Sequence, residues 1–125
     1  MQNILLGQKY KVEISELKDK IEKSVVALAT SKDNKPHQIA VAAVKVRDGK
    51  VIITDNFMEE TIENMKSNNN VSLVFWGEEG YELRGEAEYH SSGEMLDFVK
   101  GLDENKEFNP KGAIIVRVNQ IKKLK

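Results

Sequence analysis

The sequence predicts a mostly β domain of the α+β class, a small antiparallel barrel of six strands with two or three flanking helices. Three observations predict it. Segments of strand length follow one another with turn residues between them. Only three stretches repeat apolar residues at helical spacing. The three strands between Val25 and Asp55 are joined by turns short enough for hairpins. The predicted order is helix, three strands, helix, two strands, helix, strand.

ISELKDKIEKS, from Ile14 to Ser24, spaces Ile14, Leu17 and Ile21 along one helical face and places Glu16 four residues before Lys20. VVALATS, Val25 to Ser31, is an apolar strand ended by a turn built from Asp33, Asn34 and Pro36. HQIAVAAVKVR, His37 to Arg47, is predicted as one strand with both faces apolar: Ile39, Val41 and Ala43 on one, Ala40, Ala42, Val44 and Val46 on the other. Such a strand is central in a sheet or faces a partner or ligand. Asp48-Gly49 turns it back into KVIITD. DNFMEETIENMKSNNN then enters a helix whose stripe is Met58, Ile62 and Met65. Asp55 or Asn56 is available as its cap, and Asn56 with Glu59 has capping-box spacing. VSLVFW is a strand, with Phe75 and Trp76 expected in the core, and GEEG a turn. YELRGEAEYH alternates with Tyr81, Leu83, Gly85, Ala87 and Tyr89 inward and Glu82, Arg84, Glu86, Glu88 and His90 outward. GEMLDFVKGL is a short helix with Met95, Phe98, Val99 and Leu102 on one side. Ala113 to Gln120 is the last strand, followed by IKKLK as a solvated basic tail.

The bulk numbers exclude more than they select. A chain of 125 residues fits one domain, 1–125, with a core of its own, and 40% apolar with 31% charged residues is ordinary for a globular protein. A net charge of -1 gives no global attraction to nucleic acid or to an acidic membrane, and no apolar run reaches the length of a membrane span. No cysteine is present, so disulfides, thiolate metal sites and cysteine nucleophiles are excluded, and a reducing cytoplasm suits the composition. MQNILLGQKYKVE lacks the pattern of a signal peptide. His37 and His90 are the only histidines, without metal-ligand spacing, so no metal site is expected. His37 reads as a half-exposed turn residue and His90 as solvated. There is no GxSxG, GxGxxG or GxxxxGK[ST] motif.

VALATSKDNKPHQIAV, VKVRDGKVIITDNFMEETIENMKSNNNVSLVFW and EEGYELRGEAE, in that order, resemble the FMN-binding split β-barrels related to pyridoxamine 5'-phosphate oxidase, in particular their small single-domain members. The resemblance spans roughly Ser24 to Glu88, and AIIVRV falls where the family has a closing strand. It implies a six-stranded split barrel and a homodimer with FMN in a groove at the interface. The alanines at 40, 42 and 43 leave room for a planar ring, or they pack on a neighbouring element. By rough alignment, Ala40, Val41 and Ala42 would meet the ring, and Thr54, Asp55, Asn56 and Thr61 would face the ribityl chain and phosphate.

Two positions depart from the family. A lysine commonly stands where this chain has Glu60, while Thr61 and Asn64 match. A charge reversal of two units, at about 1–3 kcal/mol each beside a phosphate, outweighs a helix terminus worth about 0.3–2 kcal/mol. FMN binding would be weakened unless Glu60 turns to solvent and Arg84, Lys45 or a partner-chain lysine compensates. On helix physics alone, Glu59 and Glu60 are ordinary first-turn acids. Glu82 stands where related chains often carry Gln, and its alternation points it to solvent. The resemblance thus implies an FMN-dependent oxidoreductase or electron-transfer protein. Oxidation of pyridoxamine phosphate itself is not expected, because chains with that activity carry a basic C-terminal extension. The alternative is a dimeric split-barrel binding protein that has lost the flavin or holds another ligand, such as a deazaflavin or haem.

Overall fold

The structure is a computed structural model and describes residues 4–6 and 10–124. The leader expectation for residues 1–13 falls partly outside them. Two three-residue strands, β1 (Ile4–Leu6) and β2 (Tyr10–Val12), precede a 3₁₀ turn at Ile14–Leu17 and α1 (Lys18–Lys23). Then come β3 (Val25–Lys32), β4 (Lys35–Val41), β5 (Val44–Arg47), β6 (Lys50–Asp55), α2 (Glu60–Ser67), β7 (Asn70–Trp76), β8 (Gly80–His90), α3 (Glu94–Lys100), a 3₁₀ turn at Asp103–Asn105 and β9 (Gly112–Lys123).

Hydrogen bonding runs β4-β3-β7-β8-β9-β6-β5, with β1 joining on β9 and β2 pairing with β1. The fold is mostly β, of the split-barrel class, with three α-helices. The expected six strands become seven between Val25 and Lys123, and β1 pairs with β9 in parallel, so the sheet is not wholly antiparallel. The extra strand arises because His37–Arg47 is not one strand. It breaks at Ala42 and Ala43, where Ala43 takes a positive φ of 51°. The two-residue break turns Val44 and Val46 inward, the side that Ile39 and Val41 already face. The break also closes the barrel. β4 and β5 are the two ends of the seven-strand path, yet only two residues join them, so the ends must meet. β4 pairs with β3 alone and is an edge, not a central strand.

The turns follow from backbone chemistry. Asp33 and Asn34, with φ of 53° and 62°, make the β3–β4 hairpin, while Pro36 lies within β4 opposite Ser31. Asp48 and Gly49, at 52° and 74°, make the β5–β6 hairpin. Asn119 is the extra residue of a bulge in β9, because Arg84 pairs with Gln120 and Gly85 with Val118.

One apolar cluster fills the barrel, with Leu28, Ile53, Leu73, Phe75, Leu83 and Ile121 at its centre. Phe75 stacks on Tyr81 at 5.4 Å. A second cluster seats α3, through Leu96 and Val99, on Ile52 and Ile115 of the outer face. Two expectations are corrected. Trp76 is 49% exposed rather than core, since it pairs with Val25 at the end of the sheet on the outward face. Ile121–Lys123 is not a solvated tail but the end of β9, paired with β8. There Lys123 (2.7 Å) and Lys20 both donate to Glu79 and hold its carboxyl down at about 2. No helix among the described residues is long and apolar enough to cross a membrane.

Candidate functional site

Where β4 ends at the break before β5, a groove of about 430 Å³ runs along β4. One wall is β4 itself, from His37 through Ile39, Ala40 and Val41 to Ala42. The other is the start of α2 and the loop before it, with Asn56, Phe57, Met58, Glu59, Glu60 and Thr61. Thr54 of β6 lines it as well. Ala40 and Ala42 are exposed, so none of the described residues fills the space above them. A strand bonded on one side only presents unused backbone N–H and C=O groups along this edge.

Of the residues expected at the site, Ala40, Val41, Ala42, Thr54, Asn56, Glu60 and Thr61 line the groove together. Asp55 does not. It is fully buried behind the wall, where one carboxylate oxygen accepts the Met58 N–H at 2.8 Å and the other accepts the Tyr89 hydroxyl at 2.5 Å. Burial first, and then this bond to Asp55, push the Tyr89 hydroxyl well above its ordinary value. Asp55 therefore fixes the bend from β6 into α2. The capping box does not form: α2 has Glu59 at its N-cap without a side-chain hydrogen bond. Asn56 is left to the groove instead, and its Oδ1 is buried with no partner among the described residues. Asn64 turns to the barrel, donating to Thr30 Oγ1 at 3.1 Å.

Thr54 is held at the far end of the groove. Its hydroxyl donates to Ala43 O at 3.3 Å and accepts from Asn105 Nδ2 at 2.9 Å. Asn105, buried on the turn after α3, also donates to Val99 O at 2.8 Å. This ties the β4–β5 break to β6 and to the α3 region.

Sequence reasoning missed His37, Ile39, Phe57, Met58 and Glu59 as lining residues. His37 is half-buried, with Nδ1 3.3 Å from Glu60 Oε2. The signal for it was present: positions 37, 39 and 41 share one face of β4. Phe57 is 79% exposed and meets Phe108 edge to face at 6.0 Å. No property of the sequence marks it.

The helix start is acidic on its groove side. Glu60 keeps its carboxylate at the groove, facing His37, and Glu59 stands beside it. Neither cation considered as a substitute reaches it. Lys45 is paired with Glu104, and Arg84 lies on β8 with Glu82, at 3.3 Å. Glu82 is itself half-buried rather than free in solvent, accepting from Ser72 Oγ at 3.0 Å. Among the described residues no group of three histidine, cysteine or carboxylate side chains is placed to hold a metal.

A family model described as pyridoxamine 5'-phosphate oxidase matches residues 13–125. The chain belongs to the pyridoxamine 5'-phosphate oxidase family. Within reach of it by sequence is an uncharacterized protein of Methanocaldococcus jannaschii, 36% identical over 118 residues, covering 88% of this chain and 79% of that one. In structure, the pyridoxamine 5'-phosphate oxidase fold here matches HupZ of Group A Streptococcus with a TM-score of 0.80 at 23% identity, over 88% of this chain and 92% of that one. An FMN-binding protein from Syntrophomonas wolfei matches with a TM-score of 0.71 at 14% identity, over 89% and 88%. At these identities the two structures share the family fold with this chain.

Proposed function

We propose that this member of the pyridoxamine 5'-phosphate oxidase family binds a flavin in the seam groove and serves as a flavin-dependent oxidoreductase or electron-transfer protein. The observation that carries the proposal is the convergence of Ala40, Val41 and Ala42 with Thr54, Asn56 and Thr61, from three elements, on one apolar groove of ring-accommodating size. FMN is the cofactor that the resemblance implies, and an FMN-binding protein shares the fold; its ring and its phosphate fare differently here. The ring has a fit: exposed alanines, the free β4 edge and the Ile39 and Met58 side chains give a planar heterocycle both contact and hydrogen-bonding groups. The phosphate does not, since Glu59 and Glu60 occupy its end. What the protein would supply to flavin chemistry is orientation and electrostatics.

Riboflavin and FMN titrated into the purified chain test the proposal. Saturable quenching of flavin fluorescence is expected, and Ala40→Leu with Ala42→Leu should weaken it by about ten-fold or more by filling the groove. Because both alanines are exposed in the single chain, the change leaves the barrel core untouched. Indifference to both flavins would instead favour the second reading, a split-barrel binding protein for another ligand, for which the acidic helix start is the supporting observation.

We also propose that a second copy of the chain covers the groove. The outward face of β3 and β7 carries Val25, Ala27, Ala29, Val74 and Trp76, with Val25 56% and Trp76 49% exposed, an apolar strip that water does not favour. Sedimentation at micromolar concentration should return twice the chain mass, and Trp76→Glu should return the single chain. A parent chain that sediments singly would overturn the proposal.

A further inference from the structure

We infer that the groove selects against a phosphorylated flavin and takes one ending in uncharged hydroxyls, as riboflavin does. This rests on the flavin reading of the same groove and adds which flavin it accepts. At the groove end formed by the start of α2, two carboxylates stand beside the single side-chain donor of Thr61, where a phosphate needs donors. Glu59 and Glu60, when ionised, can only accept hydrogen bonds, and an ionised phosphate can only accept them too. Asn56 Oδ1 is buried there without a donor. A ribityl chain ending in a hydroxyl brings O–H donors that the carboxylate oxygens of Glu59 and Glu60 can use.

Three lysines around α2 have partners of their own. Lys111 donates to Met58 O at 2.6 Å, Lys32 is paired with Glu63 at 2.7 Å, and Lys66 lies over the Tyr89 ring. None of these lines the groove, and His37 already faces Glu60. The short helix offers its first-turn N–H groups, but the same turn carries the two acids that oppose an anion. At roughly 6 Å in a water-like dielectric, one carboxylate lowers the affinity for a doubly charged phosphate by about ten-fold.

The experiment is a pair of titrations of the full chain, with riboflavin and with FMN, at low and at physiological ionic strength. Riboflavin should bind more tightly than FMN by about ten-fold at low salt. FMN binding should strengthen as salt screens the repulsion, opposite to the behaviour of a cationic phosphate site, while riboflavin stays level. Glu60→Gln, an exposed change, should tighten FMN by about three- to ten-fold and so narrow the gap between riboflavin and FMN. The salt readout needs no variant and so stands whether or not Glu60→Gln alters the fold. FMN binding as tight as riboflavin or tighter, an FMN affinity that falls with salt, or an FMN-to-riboflavin ratio unmoved by Glu60→Gln would each overturn the inference while leaving flavin binding in place. If neither flavin binds, the flavin reading falls and this inference falls with it.

Discussion

Asp55→Ala should destabilise the protein by about 3 kcal/mol and weaken ligand binding in the groove at the same time. The buried carboxylate accepts two hydrogen bonds, from the Met58 N–H and the Tyr89 hydroxyl. Removing it strands one buried donor of the backbone and one of a half-buried phenol. Bonds to a charged group contribute about 1.5–3 kcal/mol each, and relief from burying the charge offsets part of the loss. The coupling to binding is geometric. Residues 56–59 follow Asp55 and form most of one groove wall, and the Asp55 bond to the Met58 N–H is the buried one that sets their entry into α2, whose N-cap has no side-chain bond; the Lys111 bond to Met58 O is exposed. Asp55→Asn keeps an acceptor for Met58 and should cost less than half as much. Tyr89→Phe removes one bond only, by about 1–2 kcal/mol, and leaves the loop held. Urea denaturation of the three variants, with flavin titration of each, checks the order. An Asp55→Ala protein with parent-like stability, or with lowered stability but unchanged groove affinity, would mean that the wall is held elsewhere.

That Asp55 faces inward was not readable from TDNFMEE, because an aspartate before a helix is equally well suited to capping it, to a ligand or to a buried bond. The choice depends on Tyr89, 34 positions away. The same limit applies at Ala42 and Ala43. Alanine fits strands, turns and helices, so nothing local marks the positive φ at Ala43 or the change of strand partner. Reading His37 to Arg47 as one strand put Val44 and Val46 on the face of Ala40 and gave one strand too few. What was legible had a local cause. The Asp48-Gly49 hairpin follows from two residues that tolerate positive φ, the inward set from Tyr81 to Tyr89 from strict alternation, and the α2 stripe from 3.6-residue spacing. The groove residues Ala40, Val41, Ala42, Thr54, Asn56, Glu60 and Thr61 were legible through family resemblance, not through physics, and they do converge in space. Asn105, which pins Thr54 from 51 positions away, was visible to neither.

Gly85→Ala should be the most damaging single methyl addition in the barrel, at about 3 kcal/mol or more, a large share of the roughly 5–15 kcal/mol that stabilises a domain. At the β8–β9 bulge the two backbones approach so closely that a Cβ on Gly85 would overlap the Arg117 carbonyl oxygen. It would also lie 2.9 Å from the Arg117 carbonyl carbon and 3.0 Å from Val118 Cα. These are main-chain atoms of the longest strand, so no side chain can swing aside. Relief requires β8 and β9 to separate, and that pair carries the bend on which barrel closure, and with it the meeting of β4 and β5 at the groove, depends. Gly77→Ala supplies the control, since a Cβ there would meet nothing within 4 Å. Denaturant midpoints should therefore fall steeply for Gly85→Ala and hardly move for Gly77→Ala. A Gly85→Ala chain as stable as its parent would show that the strands at the bulge stand further apart than described, and the tight closure that creates the seam would lose its mechanical cause.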